Sequence, residues 1–189
     1  MTNVLAERFK TGFRRYPTGV AIVAASTEEG PVGATVSSVS SVSASPPLLS
    51  FSVLRSGRSG PALAGSGHLA VHVLTEDQAH LAAAFADRTA PRFTPEQGWT
   101  LTPGQPPALE DVAASFYGHV SRVVPAGEAW LVLLEVDSVD LGEPADPIGS
   151  GPLLHHDRRY WSGGTPIDPS ATPLVSVRSL DRVVPERAS

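Results

Sequence analysis

Between Gly33 and Ser43 the chain reads Gly-Ala-Thr-Val-Ser-Ser-Val-Ser-Ser-Val-Ser. Hydroxyls this dense on an extended segment offer uncharged donors and acceptors, with backbone slim enough to approach a flat polar ring. The same composition also makes a polar strand face ending in a serine-rich turn, with no ligand at all. A second segment, Arg55-Ser56-Gly57-Arg58-Ser59-Gly60-Pro61, follows an apolar run and precedes a predicted helix. Two guanidiniums, two serine hydroxyls and the backbone N–H groups of a helix start suit an anion such as a phosphate. A solvated loop with ordinary surface arginines has the same composition. Neither the Walker pattern nor the Gly-x-Gly-x-x-Gly fingerprint is present.

A third cluster is His155-His156-Asp157-Arg158-Arg159-Tyr160-Trp161. Successive residues of a strand point to opposite faces, so His155 and His156 do not chelate one metal together, and only one of them can face a given ligand. Imidazole, guanidinium and aromatic rings side by side suit a pyridine ring, an adenine or a diphosphate, and equally suit plain packing. His68 and His72 share a face, but no third ligand accompanies them, and no metal is expected. The absence of cysteine removes disulfides, thiolate nucleophiles and zinc-thiolate sites, so any redox chemistry must come from a bound cofactor. No Gly-x-Ser-x-Gly elbow supports serine hydrolysis.

The elements that must position these groups can be read from hydrophobic spacing. Leu5, Phe9, Phe13 and Tyr16 mark one face of an amphipathic helix from Val4 to Tyr16, ended by Pro17. Gly19 to Ser26 and Val32 to Val39 read as a hairpin about a Glu-Glu-Gly-Pro turn, and Leu48 to Leu54 as a third strand. Pro61 to Ala64 suggests a short helix. In His68 to Leu74, Leu69, Val71 and Val73 alternate with His68, Ala70 and His72, which predicts a half-buried strand. Glu76 to Asp87 has helix-forming composition, with Thr75 as N-cap and Gln78 as its capping-box partner. Thr89 to Ala108, with prolines at 91, 95, 103, 106 and 107, reads as a long loop around a short strand at Trp99 to Thr102. Ala113 to Val124 and Glu128 to Leu141 predict a hairpin, and Leu153 to Trp161 a last short strand. The pattern implies one domain over residues 1–164 and an arm or tail over 165–189. At least six strands against a few short helices, without βαβ alternation, predict a mainly β, antiparallel barrel with peripheral α-helices.

Composition narrows the function. The 189 residues carry a net charge of -5 and one lysine, Lys10, which argues against nucleic acid as a partner. No apolar run reaches the roughly 20 residues of a membrane span, and the N-terminus lacks a signal-peptide core, so no membrane partner and a cytoplasmic location are expected.

Taken in order, the segments resemble the flavin reductase-like family, whose FMN-binding split β-barrels serve as small reductase components of two-component monooxygenases. The resemblance runs over roughly residues 7 to 161. It is carried by Phe13-Arg14-Arg15-Tyr16-Pro17-Thr18-Gly19-Val20, Pro31 to Ser38, Ser41 to Leu48, and Arg55 to Ser59. It continues through Leu69 to Leu74 with Gln78, Arg92-Phe93 with Trp99, and Pro152 to His156 with Tyr160. The resemblance implies that Thr35, Val36, Ser37 and Ser38 line the isoalloxazine ring and that Arg55, Ser56, Arg58 and Ser59 hold the FMN phosphate or FAD diphosphate. It further implies a homodimer with flavin near the interface, NADH or NADPH as electron donor, and a flavin-dependent oxygenase as partner. His156 is the candidate for contact with the nicotinamide and Tyr160 for its support.

The chain departs from that family's pattern along its last long strand. Many members carry Gly-Asp-His where this chain has Gly127-Glu128-Ala129, and a later glycine is replaced by Leu134. Trp130, next in sequence, could stack on a ligand or obstruct the nicotinamide. The function that the resemblance implies is an NAD(P)H-dependent flavin reductase that supplies reduced flavin to a partner monooxygenase. The alternatives are a flavin-binding protein that does not use nicotinamide and a barrel used as an interaction scaffold.

Overall fold

The structure is a computed structural model that describes residues 4–142 and 151–163. The arm expected over 165–189 and the boundary at 164 lie outside the described residues. Helix α1 (Val4–Arg14) leads into strands β1 (Thr18–Gly19), β2 (Ala21–Thr27), β3 (Gly30–Val36), β4 (Ser40–Ala44) and β5 (Pro47–Leu54). Then come α2 (Ser59–Gly65), β6 (His68–Val73), α3 (Ala79–Ala86), β7 (Trp99–Thr100) and β8 (Ala108–Leu109). A long hairpin of β9 (Ala114–Ala126) and β10 (Ala129–Leu141) follows, and β11 (Leu153–His156) and β12 (Arg159–Ser162) close the described chain. Seven strands form one antiparallel sheet in the order β3-β2-β6-β9-β10-β5-β4, and β1, β11 and β12 form a smaller one. The mainly β, antiparallel expectation holds, with short helices at the periphery.

Strand β2 shows why the architecture has two cores. Ala21, Val23 and Ala25 point into the curved sheet against Phe51, Leu69, Val71, Val132 and Leu134. Val20 and Ile22 point the other way, against Leu74, Leu81, Phe85, Leu109 and Leu153. A strand buried on both faces reads as a continuous apolar run, as this one does.

Strand β6 corrects the half-buried expectation. Leu69, Ala70, Val71 and His72 are all fully buried, because β6 lies between β2 and β9 with the inner core on one face and the proline-rich loop on the other. Alternation of alanine and a neutral imidazole with leucine and valine mimics an amphipathic strand. The imidazole is tolerated because both nitrogens are bonded: Nδ1 to Ser115 Oγ at 2.8 Å and Nε2 to the Pro107 carbonyl at 2.9 Å. A carbonyl only accepts, so Nε2 carries the proton and Nδ1 accepts from the serine hydroxyl.

Three further expectations are revised. The Thr75–Gln78 capping box exists, but it closes a 3-10 turn at Glu76–Gln78 before α3 begins at Ala79. Gln78 is pulled inward, accepting from Thr75 N and donating to the Glu110 carbonyl at 3.0 Å. The last strand is in fact a hairpin, turned at Asp157 and Arg158, both at positive φ. A turn without glycine or asparagine leaves no local signal in the sequence. Helix α1 stops at Arg14, short of Tyr16, and none of its residues is buried among the described residues. Among the described residues no helix is long and apolar enough to cross a membrane.

Candidate functional site

A cavity of about 940 Å³ opens between β3, the end of β5, the Arg55–Pro61 loop and the segment after α3. Its floor on one side is the backbone and hydroxyls of β3 and the residues just beyond it. Its opposite rim carries Arg88, Arg92 and Phe93. The layers meet closely because residue 33 is glycine: a Cβ there would lie 2.8 Å from the Phe85 ring and 3.0 Å from the Phe93 ring. At the cradle end, Gly60 presses against β5, and a Cβ there would sit 1.8 Å from the Leu54 carbonyl oxygen. The loop can turn into α2 at this point only with glycine.

The structure brings together Thr35, Val36, Ser37, Ser38, Ser56, Arg58 and Ser59, all of which line this cavity. Their hydroxyls are not equivalent. Thr35 Oγ1 donates to the Ala82 carbonyl at 2.6 Å and so ties β3 to α3. Ser38 Oγ accepts from Ser52 N at 2.9 Å and lies 3.0 Å from Ser52 Oγ, which locks the end of the serine-rich segment to β5. Ser59 Oγ accepts from Arg92 Nη1 at 3.1 Å, which leaves its own proton free to point into the cavity. Arg58 is exposed and, among the described residues, makes no ion pair. No carboxylate lines the cavity among the described residues.

Arg55, grouped with the cradle by sequence, is placed elsewhere. Its guanidinium lies over the Trp130 ring at 4.5 Å from the centroid and donates to the Gly127 carbonyl at 3.3 Å. The rim arginines are Arg88 and Arg92, which sequence reasoning did not single out as ligand contacts. Arg92 donates to the Gly33 carbonyl at 2.9 Å, to Ser59 and to the Asp87 carbonyl, joining β3, α2 and the end of α3. Burial holds its guanidinium below the usual arginine range, an effect that Asp87 opposes. The signal available in sequence was the Arg92-Phe93 pair within the long loop.

His156 and Tyr160 sit on the β11–β12 hairpin and do not line the cavity in this chain. His155 packs edge-on to Tyr160 at 5.7 Å, and the His156 carbonyl accepts from Trp161 Nε1 at 3.1 Å. Tyr160 is half-buried against the outer core, and that burial pushes its phenol pKa up. His68 and His72 do not converge on a common ligand, and among the described residues no group of three histidine or acidic side chains could hold a metal ion.

Ala129 and Trp130 are separated by strand alternation. Ala129 faces the cavity, while Trp130 faces the recess on the other side, beneath Arg55. The indole therefore does not obstruct the cavity. The small side chain of Ala129 forms that part of the cavity wall.

The profile of the family described as Flavin reductase like domain matches residues 13–164. The NADH:FMN oxidoreductase of Rhodococcus erythropolis is 35% identical over 160 residues, covering 85% of this chain and 83% of that protein. The NADH-dependent flavin reductase StyB of Pseudomonas fluorescens is 33% identical over 161 residues, covering 85% and 91%. Among solved structures, a flavin reductase domain protein from Arthrobacter sp. FB24 superimposes with a TM-score of 0.77 at 36% identity, over 88% of this chain and 99% of that one. The styrene monooxygenase flavin reductase SMOB from Pseudomonas putida S12 gives 0.73 at 30% identity, over 84% and 99%.

Proposed function

The chain belongs to the flavin reductase-like domain family, and on that premise we infer that the cavity beside β3 is where it holds flavin. The protein is an NADH-dependent reductase of FMN or FAD that supplies reduced flavin to a flavin-dependent monooxygenase. The observation that carries the site assignment is the pairing of serine hydroxyls with Arg58, which makes no ion pair among the described residues, in a cavity that no described carboxylate lines. That donor set fits a ring with carbonyl and imide groups at one end and a phosphate at the other.

When bound, flavin supplies the hydride acceptor and the onward delivery of electrons. The chain's own residues do the rest. Ser37 and the backbone of Thr35 and Val36 provide hydrogen bonds to the ring edge, with Thr35 fixed by its bond to α3 and Ser38 by its bonds to Ser52. Ser56, Arg58 and Ser59 hold the phosphate. Arg92 keeps Ser59 turned for that task and closes the wall with Phe85 and Phe93, whose rings exclude water from one side. Ala129 leaves room for a second planar ligand. Hydride transfer needs the donor carbon held close and aligned, and no acid or base need move a proton. In stopped-flow mixing, NADH is expected to bleach the visible absorbance of the flavin-loaded protein faster than that of free flavin. Equal rates would refute the reading.

We further propose a homodimer in the cytoplasm, where NADH is available. Leu5, Phe9, Phe13 and Tyr16 are each at least 60% exposed, and a monomeric chain gains nothing from such an apolar stripe. A role for His156 and Tyr160 beside the nicotinamide needs a second copy to carry their hairpin to the cavity, so it depends on this assembly. Light scattering is expected to report twice 19.7 kDa. A monomer with flavin fully bound would place the whole site within one chain.

A further inference from the structure

Behind the cavity wall lies an aromatic stack that the reductase reaction does not use. Phe85 and Phe93 line the cavity, and the Trp99 ring sits behind them, 5.2 and 4.8 Å from their centroids. Trp99 meets the buried His72 ring edge-on at 5.5 Å, and His72 meets Tyr117 in the same way at 6.1 Å. Tyr117 is half-buried, so the rings run without a gap from the cavity wall to a residue that solvent reaches. Of these rings, indole and phenol yield an electron to a strong oxidant, while phenyl and neutral imidazole do not. Trp99 and Tyr117 are therefore the stations of the stack, and Phe85, Phe93 and His72 are the contacts between them.

The hydrogen bonds set the two stations apart. Trp99 Nε1 is buried and has no hydrogen-bond partner among the described residues. An indole that loses an electron there keeps its proton and remains a radical cation, able to draw an electron from the next station. Tyr117 has an outlet for its proton. It lies two residues from Ser115 on the same face of β9, and the two hydroxyls are hydrogen-bonded. Ser115 in turn donates at 2.8 Å to Nδ1 of neutral His72, whose Nε2 proton is held by the Pro107 carbonyl. Burial pushes the phenol pKa up, opposed by Ser115 and aided by Asp140, so the resting phenol keeps its proton. An oxidised phenol is a far stronger acid than an imidazolium, even one whose pKa burial lowers to about 4. Resting on the flavin reading above, we propose that Trp99, Tyr117 and His72 form an electron route that quenches photo-excited flavin in the cavity. Trp99 gives one electron to the excited, oxidised flavin across the Phe85 and Phe93 contacts, and Tyr117 refills Trp99 across His72. The Tyr117 O–H bond breaks as its proton passes to Ser115 Oγ, while the Ser115 proton passes to His72 Nδ1. The flavin is then reduced by one electron, Tyr117 is oxidised by one, and His72 holds the proton. Return of electron and proton along the same path restores every group, so absorbed light leaves no net chemistry behind.

The test compares wild type with Trp99→Phe and Tyr117→Phe, which keep the rings of the stack, and with Trp130→Phe, whose indole lies outside it. Each is titrated with FMN in the dark, and the excited-state lifetime of bound FMN is then measured after a blue-light pulse, with transient absorption following the tryptophan and tyrosine radicals. FMN affinity and NADH oxidation in the dark are expected to be the same in all four proteins. Trp99→Phe is expected to lengthen the lifetime severalfold and abolish the tyrosyl signal. Tyr117→Phe leaves the lifetime short and lets the tryptophan signal persist. In D2O the tyrosyl signal of wild type appears more slowly while the flavin decay is unchanged, a readout that a merely structural role would not move. A lifetime unchanged by Trp99→Phe, or lengthened by Trp130→Phe instead, would overturn the route, as would a tryptophan radical that never passes to Tyr117. Failure of wild type to bind FMN at all would overturn the flavin reading on which the route rests, and the dark titration separates that result from the others.

Discussion

Replacing Arg58 with alanine weakens FMN binding about 10- to 150-fold and leaves riboflavin nearly unaffected, because a charge-assisted hydrogen bond contributes roughly 1.5–3 kcal/mol. Arg58 is exposed at the mouth of the cavity, just before α2, with no acidic partner among the described residues. Nothing in the fold therefore depends on its charge, and its removal is felt only by a ligand with a phosphate. Riboflavin shares the ring and lacks the phosphate, so the ratio of the two affinities isolates the contact. Fluorescence titration of both ligands against wild type and variant measures it. If both affinities fall together, Arg58 shapes the loop and the phosphate lies elsewhere.

Acid weakens the protein through His72. Burial pulls the imidazole pKa from 6.5 down to about 4, opposed by the bond to the Pro107 carbonyl. Unfolded, the same group takes up a proton near its ordinary value. Above pH 6.5 both states are neutral there and the fold has its full stability. Between 6.5 and 4 the unfolded chain holds a proton that the folded one does not, so stability falls as pH falls, by a total of roughly 3 kcal/mol. Below 4 both states are protonated and this loss is complete. Chemical denaturation at a series of pH values should show the slope, and His72→Gln should flatten it by removing the titration while keeping polar atoms near Ser115 and Pro107. Wild-type and variant profiles that stay parallel through that window would exclude His72 as the source.

The two residues differ in how readily their roles could be read. Arg58 sits in a run of glycine, serine and arginine whose chemistry is local, so composition alone points to a phosphate. His72 acquires its meaning from Ser115 and Pro107, 43 and 35 residues away, and no window along the chain contains those partners. The rim arginines were only partly legible for the same reason: the Arg92-Phe93 pair was visible in the sequence, but Arg88 and Arg92 reach the cavity because α3 folds back over β3, fastened by Thr35 and Gly33. The displacement of Arg55 has another origin. Its type and position match the cradle, but Trp130, 75 positions later, captures it. Strand periodicity served well where one face meets solvent and failed at β6, where both faces are covered. The β9–β10 hairpin followed directly from two long β-branched runs.

The tip of that hairpin also limits how the chain can change length. Gly127, at φ 60°, and Glu128 join strands in which Ala129 lies opposite Ala126 and Trp130 opposite Pro125. Inserting or deleting one residue in the turn would rotate the start of β10 by one strand position and send every side chain there to the other face. The indole would then point into the cavity beside β3 and the methyl group would lie under Arg55. A two-residue change keeps the parity and alters only the reach of the loop. The irregularity at Leu133/Leu134 comes too late along the strand to absorb a slip before the cavity wall is built. Insertions and deletions at this tip are therefore sorted by whether they are odd or even before they are sorted by size.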